Sequence, residues 1–309
     1  MASWEQQEMA TVQDAVQDDI QELEARLAAA RARLCAVDAA RRGQEPRALT
    51  LRAAPSCPLA TTHFLLLLAD SALPIGSFAF SSGLESYLAH HHQQQRASSS
   101  PGSFASFLPL SLSSLASSTL PFVLAAHRDP ALLASLDDQL DAAVVCTVAR
   151  RASVAQGRAL LSIWERSFRP ALASSSPAVD APVLRRFAAL LREGSGRQSD
   201  DHHAPPLVSA HLAPLFGAVC AVVGLSLRQA AYVFVLSHVK ALVSAAVRAS
   251  MFGPYQAQKV LAGDEVQRMI DAVVDREWDT PVQEAGQSVP VLDLWVGRHE
   301  LLYSRIFNS

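Results

Sequence analysis

The chain has 309 residues and a formal net charge of −3, so it lacks the basic excess with which a general nucleic-acid-binding protein neutralises phosphates. Half of the residues are apolar, but only 6% are aromatic and 18% are charged. Because alanine and leucine carry most of the apolar share, we predict an all-α protein: a single globular helical domain with an N-terminal extension and polar inserts.

The four cysteines, Cys35, Cys57, Cys146 and Cys220, are widely spaced and form no Cys-x-x-Cys pair. This spacing predicts neither a zinc site nor a disulfide framework, and it fits a reducing compartment. The first residues, MASWE, are polar and acidic, unlike a secretory signal or a transit peptide. We therefore expect a cytoplasmic protein.

The first predicted element is an amphipathic helix in an N-terminal extension, residues 1–50. Apolar or small residues recur over residues 16–37 at alternating spacings of four and three, the heptad rhythm of a coiled coil. The sequence leaves open whether this helix pairs with a partner or forms a solvated or disordered extension. Prolines 46, 55 and 58 separate it from the predicted helical domain, residues 59–309.

The next segment, residues 59–88, is too rich in Gly, Pro and Ser at its middle for one uninterrupted helix. It predicts a helix, a shaped turn and a second helix. Polar low-complexity sequence then predicts flexible inserts near residues 93–103, 174–182 and 194–206.

Leucine and alanine at helical spacing predict helices between and after these inserts, over residues 104–126, 132–168, 183–192, 207–247 (an apolar pair) and 256–274 (an amphipathic pair). The uncharged stretch 207–225 is about as long as a membrane span. It contains His211 and Pro214, so we predict a buried core helix and no membrane contact.

Enzyme motifs are absent from the sequence. There is no glycine-rich phosphate-binding loop, and Ser81 and Ser82 lack the Gly-x-Ser-x-Gly context of a hydrolase nucleophile. We expect no catalytic residues, although a hydrolase that uses one of these serines with a nearby histidine is an alternative.

Two histidine clusters are candidate metal sites: His90, His91 and His92, and the pair His202 and His203. Successive helical residues point about 100° apart, so three adjacent histidines do not readily close one coordination shell. We therefore predict no dedicated metal site.

A polar stripe lies on one face of the apolar helix predicted over residues 227–248. Its members are four and eight residues apart: Arg228, Tyr232, Lys240, Ser244 and Arg248. No acid lies between them, so their charges need compensation from another helix, from water or from a partner. Arg151 and Arg158 form a similar stripe.

Three blocks of sequence together resemble the UreF family of urease accessory proteins. The first is LLLLADSALPIGSFAFSSGLES, residues 65–86; the second pairs RRASVAQGRALL, residues 150–161, with ALVSAAVRASMFGPYQAQKVL, residues 241–261; the third is the ending RHELLYSRIFNS, residues 298–309. Their order and spacing both agree with the family pattern, and the resemblance covers residues 59–309 apart from the inserts.

The resemblance implies an all-helical, non-enzymatic scaffold that dimerises and bridges a UreD/UreH-type protein and the GTPase UreG. Such a scaffold regulates the GTPase while nickel, the transferred ion rather than a bound cofactor, is inserted into apo-urease. It places a UreG-facing surface at Arg248, Gln258 and Lys259, and a UreD/UreH-facing surface at the C-terminal residues His299, Tyr303, Arg305 and Phe307. The alternative for the C-terminal segment is a helix that simply closes the core of this chain. The alternative is a metallochaperone that binds nickel directly through the histidine clusters.

The family motif assigns a structural turn to Asp70, Pro74, Gly76, Gly83 and Glu85, with Asp70 or Glu85 as a helix cap. The sequence departs from the pattern in places: Ser77 and Ser82 stand where many members have glycine, Phe80 stands where many have histidine, and GPYQAQ, residues 253–258, replaces a more glycine-rich form common in bacterial members. These departures affect the local partner contacts and not the membership of the family.

Overall fold

The computed structural model describes residues 58–94, 104–175, 181–200 and 208–308. These residues contain no β-strand and fold into helices joined by short turns, which confirms the all-α prediction. Pro55–Ser309 form one compact unit. The helix predicted within residues 1–50 lies outside the described residues.

The α-helices of the described residues are, in chain order, α1 (Pro58–Ala69), α2 (Leu84–Gln94), α3 (Phe104–Arg128), α4 (Leu133–Ala143), α5 (Thr147–Ile163), α6 (Arg169–Ser175), α7 (Pro182–Asp200), α8 (Leu212–Val222), α9 (Leu227–Arg248), α10 (Pro254–Ala262), α11 (Asp264–Glu277) and α12 (Pro290–Arg298). Single helical turns of the 3-10 type occur at Ser77–Ala79, Pro130–Leu132, Val282–Glu284 and His299–Leu301.

One predicted helix is divided in the structure. The 132–168 prediction breaks because the backbone is extended at Val144 and Cys146, between α4 and α5. A π-helical segment, Trp164–Phe168, then joins α5 to α6 just before Pro170, whose missing N–H disfavours a regular ladder. The helix pair predicted over 256–274 is confirmed as α10 and α11, which meet at the extended Gly263.

Helix α7 runs to Asp200, so part of the predicted 194–206 insert is helical.

Helix α3 lies at the centre of the fold and packs against α8, α9 and α11. Its buried face includes Leu112, Leu120 and Phe122, which are almost fully removed from solvent. The uncharged stretch predicted as a core helix forms α8, which has 11 residues and is buried along most of its length. Burial of these apolar faces is the main favourable contribution to folding.

Two helices, α3 and α9, are long and apolar enough to cross a membrane by length and composition. In their most apolar windows, 61% and 56% of the residues are buried inside this chain. Core helices of soluble proteins have these same properties, and the packing of α3 and α9 against other helices fits that class.

The helix, turn and second helix predicted over residues 59–88 are present as α1, a turn and α2, and the turn contacts α9 and the C-terminal segment. Gly76 and Gly83 lie at either end of it with φ of 77° and 85°, in the left-handed region that glycine adopts without a steric penalty. Between them the chain makes the short helical turn Ser77–Ala79. We call residues 76–83 the hinge turn.

Candidate partner-binding surface

The C-terminal segment, residues 302–308, folds back onto the hinge turn, and we call it the tail. Glu85, in the first turn of α2, accepts three hydrogen bonds from the end of the chain. Its carboxylate lies 2.7 Å from His299 Nε2, 2.7 Å from the Ile306 N–H nitrogen and 3.2 Å from that of Phe307. The Asn308 N–H also donates to the Ala79 carbonyl at 2.8 Å. The tail is therefore joined to the turn by backbone as well as side-chain contacts.

Arg248, at the end of α9, joins the same group of contacts. Its guanidinium carbon lies 4.2 Å from the centre of the Phe307 ring, and the guanidinium donates a hydrogen bond to the Phe78 carbonyl. Burial against these groups lowers the pKa of the Arg248 guanidinium. The two surfaces assigned by resemblance, at Arg248 and at the tail, are thus in direct contact.

The structure divides the four C-terminal candidates. His299 and Phe307 are 0% and 5% exposed and contact this chain's own residues, so they are anchors rather than partner-facing groups. Tyr303 is fully exposed, and Arg305 is exposed beside it in sequence. His299 is buried against Glu85, and Phe307 is buried against Arg248. These contacts join residues far apart in the sequence, so the sequence pattern around the C-terminus could not predict them.

Three exposed apolar side chains near the C-terminus or on the hinge turn were missed by the sequence reasoning. Leu301 is 79% exposed, Ile306 is 61% exposed and Phe78 is 64% exposed. Large apolar side chains are enriched at the centres of protein interfaces. Together with Tyr303 they give this end of the molecule the composition of a binding surface.

Two of the charged side chains in the polar stripe on α9 are paired with groups of this same chain. Arg228 contacts Asp271 at 3.3 Å and Asp275 at 2.7 Å, both on α11, and this pairing raises the pKa of Arg228. Lys240 Nζ donates to the Ala69 carbonyl at 2.5 Å.

The second stripe is compensated as well. Arg151 pairs with Glu300 at 2.5 Å, and this hydrogen bond lowers the pKa of Glu300, while Arg158 donates to the Ser209 carbonyl at 3.3 Å.

The other two residues assigned to the UreG-facing surface, Gln258 and Lys259, lie exposed on α10. Tyr255 on the same helix is 92% exposed. Since α10 packs against α9 and follows Arg248 by a few residues, this exposed helix extends the surface on which Arg248 lies.

The motif residues of the hinge region have distinct roles. Asp70 Oδ1 accepts the Ala72 N–H at 3.0 Å, so Asp70 shapes the chain after α1, and the exposed Pro74 follows in the same turn. At the start of α2 the capping oxygen belongs to Ser81, whose Oγ lies 3.4 Å from the Glu85 nitrogen. The expectation that Asp70 or Glu85 caps a helix is therefore wrong, because both carboxylates bond other donors.

A cavity of about 370 Å³ lies between the hinge turn and helices α3, α5 and α9. Among its lining groups are Ser111 and His238, whose Oγ and Nε2 are 2.9 Å apart. Burial lowers the pKa of His238 to about 4, so the ring is neutral at physiological pH. On the opposite wall Ser77 Oγ bonds Gln156 Oε1 at 3.0 Å, which links the hinge turn to α5.

No group of three or more metal-ligating side chains occurs within the ranges that the structure describes. His90 Nδ1 lies 2.6 Å from the Ser86 carbonyl, one turn earlier in α2. The side chains of His91 and His92, and the pair His202 and His203, lie outside the described residues.

A buried polar network that sequence reasoning missed fixes residues 208–211 against α4 and α5. The fully buried Asp137 accepts the N–H groups of Ser209, Ala210 and His211 at 2.6–3.0 Å. Three charge-assisted hydrogen bonds to one carboxylate hold this irregular segment, in which Ala210 has φ of 70°, in place.

The same network contains a chain of Ser153, His211 and Asp141. His211 lies 3.0 Å from Ser153 Oγ and 2.8 Å from Asp141 Oδ1. Ser153 Oγ also accepts the Leu212 N–H at the start of α8, and Arg150 bonds both oxygens of Asp141. Burial raises the pKa of Asp141, but hydrogen bonds from Arg150 and His211 outweigh it and lower the pKa overall. Through these shared contacts Ser153, His211 and Asp141 join α4, α5 and the start of α8, so we assign them a structural role.

The fold is that of an all-helical protein whose C-terminal tail packs on the hinge turn. Comparison with known proteins gives its family: the UreF family model matches residues 98–263. A Schizosaccharomyces pombe protein described as an uncharacterized urease accessory protein UreF-like is 36% identical over 248 residues, which cover 80% of this chain and 97% of the relative.

The similarity extends to plants and bacteria. Urease accessory protein F of Oryza sativa subsp. indica is 32% identical over 246 residues, covering 78% of this chain and 82% of the relative. Urease accessory protein UreF of Paenarthrobacter aurescens is 30% identical over 255 residues, covering 81% and 100%. The chain belongs to the UreF family of urease accessory proteins, so its role lies in urease maturation, and the family is one of accessory proteins rather than enzymes.

Proposed function

We propose that this chain is a scaffold that bridges a UreD/UreH-type protein and the GTPase UreG, and that it regulates the GTPase during nickel insertion into apo-urease. Nickel is the cargo of this reaction, and we propose a homodimer acting in the cytoplasm. The observation that carries the proposal is the closed tail, which leaves Tyr303 and Ile306 exposed while Phe307 contacts Arg248.

The tail is the proposed contact for the UreD/UreH-type protein. Its backbone is fixed by Glu85 and Ala79, so exposed side chains are presented without the full entropic cost of ordering a free peptide. Tyr303 and Arg305 are of the residue types that contribute most to interface energies, and Ile306 adds exposed apolar area.

The end of α9 together with α10 is the proposed contact for UreG. Lys259 and Gln258 are exposed there, and Arg248 is exposed beside the tail. An arginine that already stacks on an aromatic ring keeps donors for a partner carboxylate, because its planar group can stack and bond at once.

The experiment is co-purification of tagged chain variants with the two partners. Removal of residues 303–309 should weaken binding of the UreD/UreH-type protein enough that it no longer co-purifies, because it deletes the exposed tail. Lys259→Glu should weaken UreG recruitment alone, since Lys259 lies on α10 and not on the tail. Arg248→Ala should weaken recruitment of UreG and also loosen the tail, because Arg248 contacts Phe307.

Arg268→Glu is the matched control, a charge reversal at an exposed position on α11. Full UreG binding by both Lys259→Glu and Arg248→Ala would reject the UreG assignment. Unchanged co-purification of the UreD/UreH-type protein with the truncated chain would reject the tail assignment.

A further inference from the structure

Glu85 holds an unusual share of the polar contacts that position the end of the chain. One carboxylate accepts hydrogen bonds from His299, Ile306 and Phe307, residues 214 to 222 positions away in the sequence. The Glu85 side chain is 12% exposed, and that of His299 is fully buried. In this position the Glu85 carboxylate is hydrogen-bonded to these three donors in place of most of its water.

Such a carboxylate has a strong effect on the position of its donors. Hydrogen bonds between a charged acceptor and an N–H are about twice as strong as neutral ones, and two of the three donors here are consecutive backbone amides of the tail. Two further contacts hold the same part of the tail: Arg248 lies over the ring of Phe307, and the Asn308 N–H donates to the Ala79 carbonyl.

The hydrogen bonds to Glu85 restrict the directions in which the exposed side chains of the tail can point. Ile306 donates its backbone N–H to Glu85 while its side chain is 61% exposed, and Tyr303 lies three residues earlier, fully exposed. A backbone fixed at residues 306 and 307 therefore limits where both exposed side chains can lie.

We propose that Glu85 is the positioning residue of the tail: it holds residues 306 and 307 in the conformation that the UreD/UreH-type partner binds. The inference rests on the proposed function for the identity of the partner, but the anchoring itself is a property of this chain alone. Loss of the anchor makes the partner order a free tail on binding, and that ordering reduces affinity.

The first test compares Glu85→Gln with the full-length wild-type chain by amide hydrogen exchange and by affinity for the UreD/UreH-type protein. Glutamine keeps the shape, removes the charge and turns one acceptor into a donor. We expect exchange at Ile306 and Phe307 to accelerate about tenfold or more, and affinity to fall by about tenfold or more, the effect of losing a hydrogen bond to a charged group. Glu265→Gln, at an exposed site on α11, should change neither.

Two further comparisons separate positioning from a general loss of stability. In the chain that lacks residues 303–309, Glu85→Gln should cause no additional loss of partner affinity. Ile306→Pro removes the donated N–H, whereas Ile306→Ala removes the same exposed side chain and keeps it. Ile306→Pro should therefore bind the partner more weakly than Ile306→Ala, and this pair remains informative if Glu85→Gln fails to fold.

Unchanged exchange at Ile306 and Phe307 in Glu85→Gln would overturn the inference, as would equal affinity of Ile306→Pro and Ile306→Ala. An equal affinity loss from Glu85→Gln with and without the tail would also overturn it. If the wild-type chain binds no UreD/UreH-type partner, the proposed function fails on that result, whereas intact binding with unchanged exchange rejects only the role of Glu85.

Discussion

In the hinge turn, the neighbouring residues Ser82 and Gly83 both have positive φ, but only glycine adopts such a conformation without a steric penalty. Gly83 has φ of 85°, which glycine adopts freely, whereas Ser82 has φ of 50°, a conformation that side chains adopt at a cost. The family motif predicted Gly83 as part of a turn, and Ser82 stands where many members carry glycine. The sequence could therefore indicate a turn here, although not the contacts of the turn with α12.

Gly83→Ala should destabilise the fold by about 1–2 kcal/mol, because alanine is strained at positive φ. Its Cβ would also lie 3.1 Å from Val296 Cγ2 on α12, a close contact that the Val296 side chain must relieve by a small shift. Urea unfolding monitored by circular dichroism measures the change. Gly286→Ala is the control, since its Cβ would meet no atom within 4 Å. Equal unfolding midpoints for the two variants would contradict the prediction.

His238 should make stability depend on pH in a defined window. Burial lowers the folded-state pKa to about 4, below the ordinary value of 6.5, so the unfolded chain binds this proton first as the pH falls. The contribution of His238 is therefore complete above pH 6.5 and is lost progressively down to pH 4, by about 1–3 kcal/mol.

His238→Gln should flatten this part of the pH profile, measured as unfolding free energy between pH 7 and 4. His63→Gln, an exposed site on α1, should leave the profile as it is in the wild type. A His238→Gln profile as steep as that of the wild type would show that other groups cause the acid destabilisation.

At the scale of elements, the network around Asp137 explains how an irregular segment becomes part of the core. Residues 208–211 are buried although they are not helical, and the carboxylate of Asp137 on α4 bonds three of their N–H groups. Sequence patterns predicted the helices on either side, because apolar spacing is a local signal. They could not predict this network, whose members are more than 70 residues apart.

Asp137→Asn should lower the free energy of unfolding by about 2–4 kcal/mol, because it replaces a buried anion with an amide that can no longer accept all three bonds well. Asp138→Asn is a matched control at the next residue, which is exposed. Denaturant unfolding compares the two variants. A loss below about 1 kcal/mol for Asp137→Asn would show that the segment is held by apolar packing instead.

The break within the helix predicted over 132–168 follows the same distinction. The extended residues between α4 and α5 interrupt a sequence whose apolar spacing continues across the break. Periodicity reports which face is buried and carries little information about where a helix ends. The all-α class was therefore predictable, whereas the number and ends of the helices required the structure.

At the scale of the molecule, the polar groups that sequence analysis left uncompensated are largely paired across helices. Arg228, Lys240, Arg151 and Arg158 all bond groups in this chain. The exposed side chains at the tail, the hinge turn and α10 include Tyr303, Phe78, Tyr255 and Lys259. The motif resemblance identified this end of the chain, but only the structure separates its anchors from its exposed groups.

The central claim is that this chain binds two partners at once, and co-expression with a UreD/UreH-type protein and UreG tests it most directly. The complex would be separated by size-exclusion chromatography with mass determination, with and without GTP and nickel. We predict one assembly that contains all three proteins and loses the UreD/UreH-type protein when residues 303–309 are removed. A chain that elutes alone under every condition, or that binds nickel tightly without either partner, would contradict the account.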